Sequence, residues 1–172
     1  IYAEGSAEVN YELTTESKED ALDQGNALVR TISEEGIVLL KNADDALPLQ
    51  SGAKLSVFGK NSVNLVYGGS GSGGGDNRNA KTLSESLTAA GFTVNTVLEA
   101  FYLDDSKSGT KRDGNPSDLD SGGNQMLSTA ESPYSKYTAE ITDSYADYND
   151  AALIVISRIG GEGFDLPRTS LD

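Results

Sequence analysis

A strand, loop, helix, strand succession predicts an α/β fold, a mostly parallel sheet flanked by helices. Three segments carry that prediction. Residues 55–58 form an apolar run of strand length, residues 80–90 repeat their apolar positions as an amphipathic helix with Leu83 and Leu87 inward, and residues 92–97 alternate as a strand. A fourth segment, 151–156, reads as a further buried strand that feeds into Gly160-Gly161-Glu162-Gly163-Phe164-Asp165. Open α/β sheets place their chemistry at such strand ends.

The elements follow in order. Residues 2–13 alternate weakly, with Val9, Tyr11 and Leu13 on one side, so residues 1–16 are expected to be an extended arm and 17–172 the domain. From Ser17 the pattern becomes helical. Ser17 is placed as N-cap, Glu19 and Asp20 lie where the helix dipole favours anions, and Ala21, Leu22, Leu28, Val29 and Ile32 recur on one side. Gly36 is expected as the C-cap, and Gly25, which costs about 1 kcal/mol against alanine, implies close packing in mid-helix. Residues 37–41 are a short apolar run, and Leu47-Pro48-Leu49 a rigid turn.

Beyond the strand at 55–58, residues 61–75 read as loop, and Gly91 is expected to cap the helix at 80–90. Residues 104–132 hold few apolar anchors and read as an insertion or mobile loop. Tyr134, Tyr137, Ile141, Tyr145 and Tyr148 recur at helix-like spacing, which predicts a helix that buries tyrosine rings. The final strand is expected over 151–158.

Composition narrows the function. With 172 residues the chain has the size of one domain, and 13 basic against 27 acidic residues give a net charge of −14. That charge repels phosphate backbones and anionic membrane surfaces, so neither nucleic acid nor membrane is an expected partner. Cysteine and histidine are both absent, which removes thiolate and imidazole metal ligands. No metal and no cofactor is expected, and catalysis would fall to carboxylates, hydroxyls, amides, lysine or arginine. No signal peptide is visible and no initiator Met is present, so the compartment, cytoplasmic or secreted, stays open.

The glycine-rich run from Gly68 to Gly75 does not fit a nucleotide cradle. Residues 60–67 separate it from the strand, and no Gly-Lys-Ser/Thr triplet is present. A Rossmann-like nucleotide domain therefore ranks last. Glu162 is the sharper candidate, because its glycine neighbours let the backbone approach a ligand. A bland reading, a surface glutamate in a turn, stands beside it.

Three segments in order, Glu35-Gly36-Ile37-Val38-Leu39-Leu40-Lys41-Asn42 with Leu47-Pro48-Leu49, the Gly68-Gly69-Ser70-Gly71-Ser72-Gly73 loop, and Gly161-Glu162-Gly163-Phe164-Asp165, resemble the α/β sandwich domain of family 3 glycoside hydrolases. The resemblance runs from about Ser33 to the last residue. It implies a three-layer α/β sandwich, incomplete in this chain, from a retaining exo-acting β-glycosidase of the β-glucosidase type. It also implies that Glu162 is the catalytic acid/base, and that Ser70, Ser72 and Asp165 contact a β-glucoside or oligosaccharide substrate. The nucleophile would be an aspartate on a separate (β/α)₈ barrel domain of the same polypeptide. The chain alone is thus expected to be inactive. One departure is that Leu166-Pro167 separate Asp165 from Arg168, where relatives often have arginine directly after the aspartate. The lack of a barrel-to-sandwich linker upstream implies that the sandwich precedes the barrel. The rival from another class is a non-catalytic carbohydrate-binding or scaffold module.

Overall fold

The computed structural model describes residues 15–65, 80–110 and 131–156. The chain divides into two compact units, 1–48 and 49–172.

In the first unit, helix α1 spans Lys18–Gly36. Ser17 caps it as expected, its Oγ accepting from Asp20 N at 3.0 Å, and the Asp20 carboxylate accepts in return from Glu16 N at 3.0 Å. Two expectations need correction. Gly36 is the last helical residue, and Ile37 in an extended conformation is the C-cap. Gly25 has no heavy atom within 4 Å of where a Cβ would stand, so close packing does not explain it. Downstream, Asn42 closes the turn that contains Asp44 and Asp45, both at positive φ. Its Nδ2 donates to Leu47 O at 2.8 Å and its Oδ1 accepts from Leu47 N at 3.0 Å. The amide thus pairs with the backbone as another backbone unit would.

The second unit is built on a three-stranded parallel sheet in the order β2-β1-β3. Strand β1 (Lys54–Phe58) lies at the centre. Helix α2 (Leu83–Ala89) leads to β2 (Thr93–Val94). Helices α3 (Thr96–Leu103), α4 (Asp105–Ser108) and α5 (Ala139–Ser144) precede β3 (Ala151–Ile154).

Alternation along β1 creates the layers. Leu55 and Val57 face one way, into a core with Ala53 and Val94 that Leu83 and Leu87 of α2 cover. Phe58 faces the other way, against a second core of Leu98, Phe101, Tyr102 and Ile141. Helices therefore flank both faces of the sheet, and the α/β architecture inferred from the sequence is what the chain adopts.

Several boundaries shift for identifiable reasons. Helix α2 begins later than residue 80 because Thr82 and Glu85 form a reciprocal capping box. Gly91, at φ +91°, follows the C-cap Ala90. The strand expected over 92–97 stops at Val94, because the buried Asn95 side chain accepts from Val97 N and Leu98 N, each at 3.1 Å, and starts α3. The same amide donates to Ser144 Oγ at 2.9 Å, tying α3 to α5. The region read as an open loop from 104 contains α4, whose Ser108 is fully buried.

The tyrosine series is not one helix. It is broken into a 3₁₀ turn at Tyr134–Lys136, then α5, then a second 3₁₀ turn at Tyr145–Asp147. Tyr137, Ile141 and Tyr145 nevertheless pack into the second core, whereas Tyr134 is exposed. Strand β3 is buried on one face only, since Leu153 joins the first core while Ile154 is 72% exposed.

Burial and the hydrogen bond shared with the Tyr102 hydroxyl push the Tyr137 phenol well above the usual tyrosine range, and burial raises Tyr145 as well. The folded state therefore holds the neutral phenol. Its contribution to stability is complete below the unfolded value of about 10 and is lost as pH rises beyond it. Melting temperatures measured from pH 8 to 12 should fall less steeply in Tyr137→Phe than in the native chain. Parallel alkaline limbs would contradict this assignment.

Candidate active site at the strand tips

Order β2-β1-β3 places β2 on one side of β1 and β3 on the other. The chain leaving β1 runs through α2 to β2, so the gap between the carboxyl ends of β1 and β3 is a topological switch point, where open α/β sheets bind ligands. The register pairs Phe58 with Ile154, so both tips end at the same level. Val155 N extends the ladder by donating to Phe58 O at 3.0 Å.

Side chains from distant segments hold the β1 tip. Gly59 has φ +98°, and a Cβ there would stand 2.7 Å from Val155 O, so only glycine fits between the strands. Gly59 N donates to Tyr102 Oη at 3.1 Å, and that hydroxyl is paired with Tyr137 Oη at 2.7 Å. Lys60 N donates to Glu131 Oε2 at 3.0 Å. The Lys60 side chain is 1% exposed. Its Nζ donates to Tyr102 O, to Asp105 Oδ1 at 2.6 Å and to Ser108 Oγ at 3.2 Å. All three ammonium donors are thereby used, as burial of a lysine requires.

Removing that ammonium deprives Tyr102 O and Ser108 Oγ of a donor, while Asp105, which is largely exposed, is not stranded as a buried charge. Lys60→Met should therefore lower stability by about 1–2 kcal/mol, read as a lower urea midpoint at unchanged slope. A native midpoint would show that the Lys60 cluster contributes nothing net.

A cleft among the described residues lies beside the carboxyl ends of β1 and β2, lined by Val57, Ser62, Val63, Leu83, Asn95 and Glu99. With about 10 Å³ of space it has room for roughly one water and none for a sugar ring. Among the described residues no group of three acidic side chains could hold a metal ion, and no helix is long and apolar enough to cross a membrane.

The residues singled out from the sequence, Ser70, Ser72, Glu162 and Asp165, lie outside the described residues. Their connection to the site is through the chain. In sequence, Gly68–Gly73 follows β1, and Glu162 follows β3. Glu131, Tyr102 and Lys60 were not expected at the site. No local sequence signal marks Glu131, whose partner is 71 residues away.

Known proteins resemble the chain in sequence and in fold. The curated relative "Beta-glucosidase A" of Butyrivibrio fibrisolvens is 28% identical over 149 residues, 80% of this chain and 15% of that protein. "Probable beta-glucosidase G" of Emericella nidulans is 32% identical over 115 residues, 59% of this chain and 14% of that protein. The structure of beta-glucosidase 3B from Thermotoga neapolitana in complex with alpha-D-glucose superposes with a TM-score of 0.67 at 28% identity, covering 90% of this chain and 20% of that one. The chain thus spans about one-seventh of the curated relatives it matches and one-fifth of the solved structure. The sequence profile of the glycosyl hydrolase family 3 C-terminal domain matches residues 37–172, and the chain belongs to that family.

Proposed function

We propose that this domain supplies the general acid/base of a retaining, exo-acting β-glycosidase that releases terminal β-linked glucosyl residues. Glu162 donates a proton to the glycosidic oxygen and then takes one from the incoming water. Ser70, Ser72 and Asp165 bind sugar hydroxyls, and a barrel domain of the same polypeptide provides an aspartate nucleophile about 5–5.5 Å from the Glu162 carboxyl group. The observation that supports the reading is the β2-β1-β3 order, which makes β1 and β3 flank the switch point, and in sequence these are the strands that precede the two glycine-rich segments. The names of the relatives supply the substrate class.

A proton donor at this position must be protonated before the bond breaks. Enclosure with an anionic nucleophile would raise the Glu162 pKa toward neutrality. The pH profile of kcat/KM for the full-length polypeptide should then have an alkaline limb that disappears in Glu162→Gln. Persistence of the limb would assign proton donation to another group.

A further inference from the structure

We propose that Glu131 is a positioning residue for the site at the β1/β3 switch point, acting through the Lys60 N–H; this rests on the glycosidase reading above. The backbone donors at the β1 tip are satisfied in three ways. Gly59 N reaches Tyr102 Oη, Ser62 N closes a turn onto Gly59 O at 2.9 Å, and Lys60 N reaches the Glu131 carboxylate. The last bond is charge-assisted and the strongest kind of the three.

Glu131 also lies close to Gly59. A Cβ on Gly59 would lie 3.5 Å from Glu131 Oε1 and 2.7 Å from Val155 O, so the carboxylate packs against the glycine that meets β3. The Glu131 segment is itself anchored. Ser132 is buried, and a short 3₁₀ turn leads to Tyr137, which packs on Phe101 and Tyr102. The carboxylate thus fastens Lys60, the second residue after β1, to the segment that carries Tyr137 into the second core. Reacting groups displaced by about 1 Å can lose about a hundredfold in rate.

Three substitutions in the full-length polypeptide separate reach from charge. Glu131→Gln keeps an oxygen that can accept from Lys60 N, whereas Glu131→Asp keeps the charge but is one methylene short. Glu131→Ala has neither. Positioning predicts that kcat on aryl β-glucosides stays within about threefold of native for Gln and falls about 10- to 100-fold for Asp and Ala. The assay is made well below each variant's Tm, so a merely structural role would lower Tm and leave kcat unchanged. Should Glu131→Ala fail to fold, the Gln and Asp pair still decides. An active Asp variant beside an inactive Gln variant, or three variants with native kcat, overturns the proposal. Glu162→Ala, assayed on the same substrates, tests the acid/base reading separately. Native activity there removes that reading without altering the Gln against Asp ranking.

Discussion

Glu162→Ala in the full-length polypeptide is expected to lower kcat/KM on an alkyl β-glucoside by about 10²- to 10⁴-fold, equivalent to about 2.7–5.4 kcal/mol of transition-state stabilisation at 1.36 kcal/mol per decade. An alkoxide leaves poorly, and its departure depends on simultaneous protonation. A dinitrophenolate leaves without a proton. On a dinitrophenyl β-glucoside the loss in kcat/KM should therefore be less than about tenfold, because only bond cleavage to the glycosyl-enzyme enters that constant. Equal losses on the two substrates would mean that Glu162 binds or orients the sugar and donates no proton. A steady-state comparison of the two leaving groups decides between these roles.

Leu55→Ala is expected to destabilise the domain by about 2–5 kcal/mol. Leu55 is 0% exposed and lies on the central strand, paired with Val94 of β2 and Ala151 of β3. Neither neighbour can collapse into the space without breaking a ladder that positions the tips. Because a whole domain is stable by only about 5–15 kcal/mol, the loss should appear as a Tm lower by about 5–20 °C. Tyr134→Ala provides the contrast, as the ring is exposed and changes at such sites stay within about 0.5 kcal/mol. A Leu55→Ala protein that melts with the native one would contradict the placement of the core on β1.

The relation between pattern and structure differs from element to element. Strand β1 was legible because a short apolar run ends at a glycine, and α1 because Ser17 precedes two acidic residues. The β2–α3 junction was not, since Asn95 interrupts an alternating pattern with a side chain that starts a helix, and periodicity carries no record of that hydrogen bond. Helix α4 was hidden by its polar composition. It is held by Lys60, 45 residues earlier in the chain. The tyrosine spacing marked Tyr137 and Tyr145, which enter the core, and Tyr134, which does not, and the backbone uses short helical pieces in place of one helix.

The candidate site divides the same way. The glycine loop and Glu162 stand out in sequence through the resemblance to family 3 glycoside hydrolases, because a glutamate between glycines read alone is as readily a surface turn. The network that fixes the β1 tip did not stand out, because Gly59, Tyr102 and Glu131 are far apart in sequence and meet only in the folded chain. Glycine at 59 has a local appearance no different from any turn glycine, and its necessity comes from Val155 O across the strand gap.

Azide provides the most direct measurement of the central assignment, that Glu162 is the proton carrier of a two-step displacement. In Glu162→Ala, a dinitrophenyl β-glucoside can still form the glycosyl-enzyme, but water attacks slowly for want of a base. Azide needs no deprotonation and can occupy the space the carboxylate left. Turnover of the variant should rise with azide concentration, and the product should be β-glucosyl azide, with the configuration of the substrate retained. A variant that azide neither accelerates nor converts to that product would contradict the assignment.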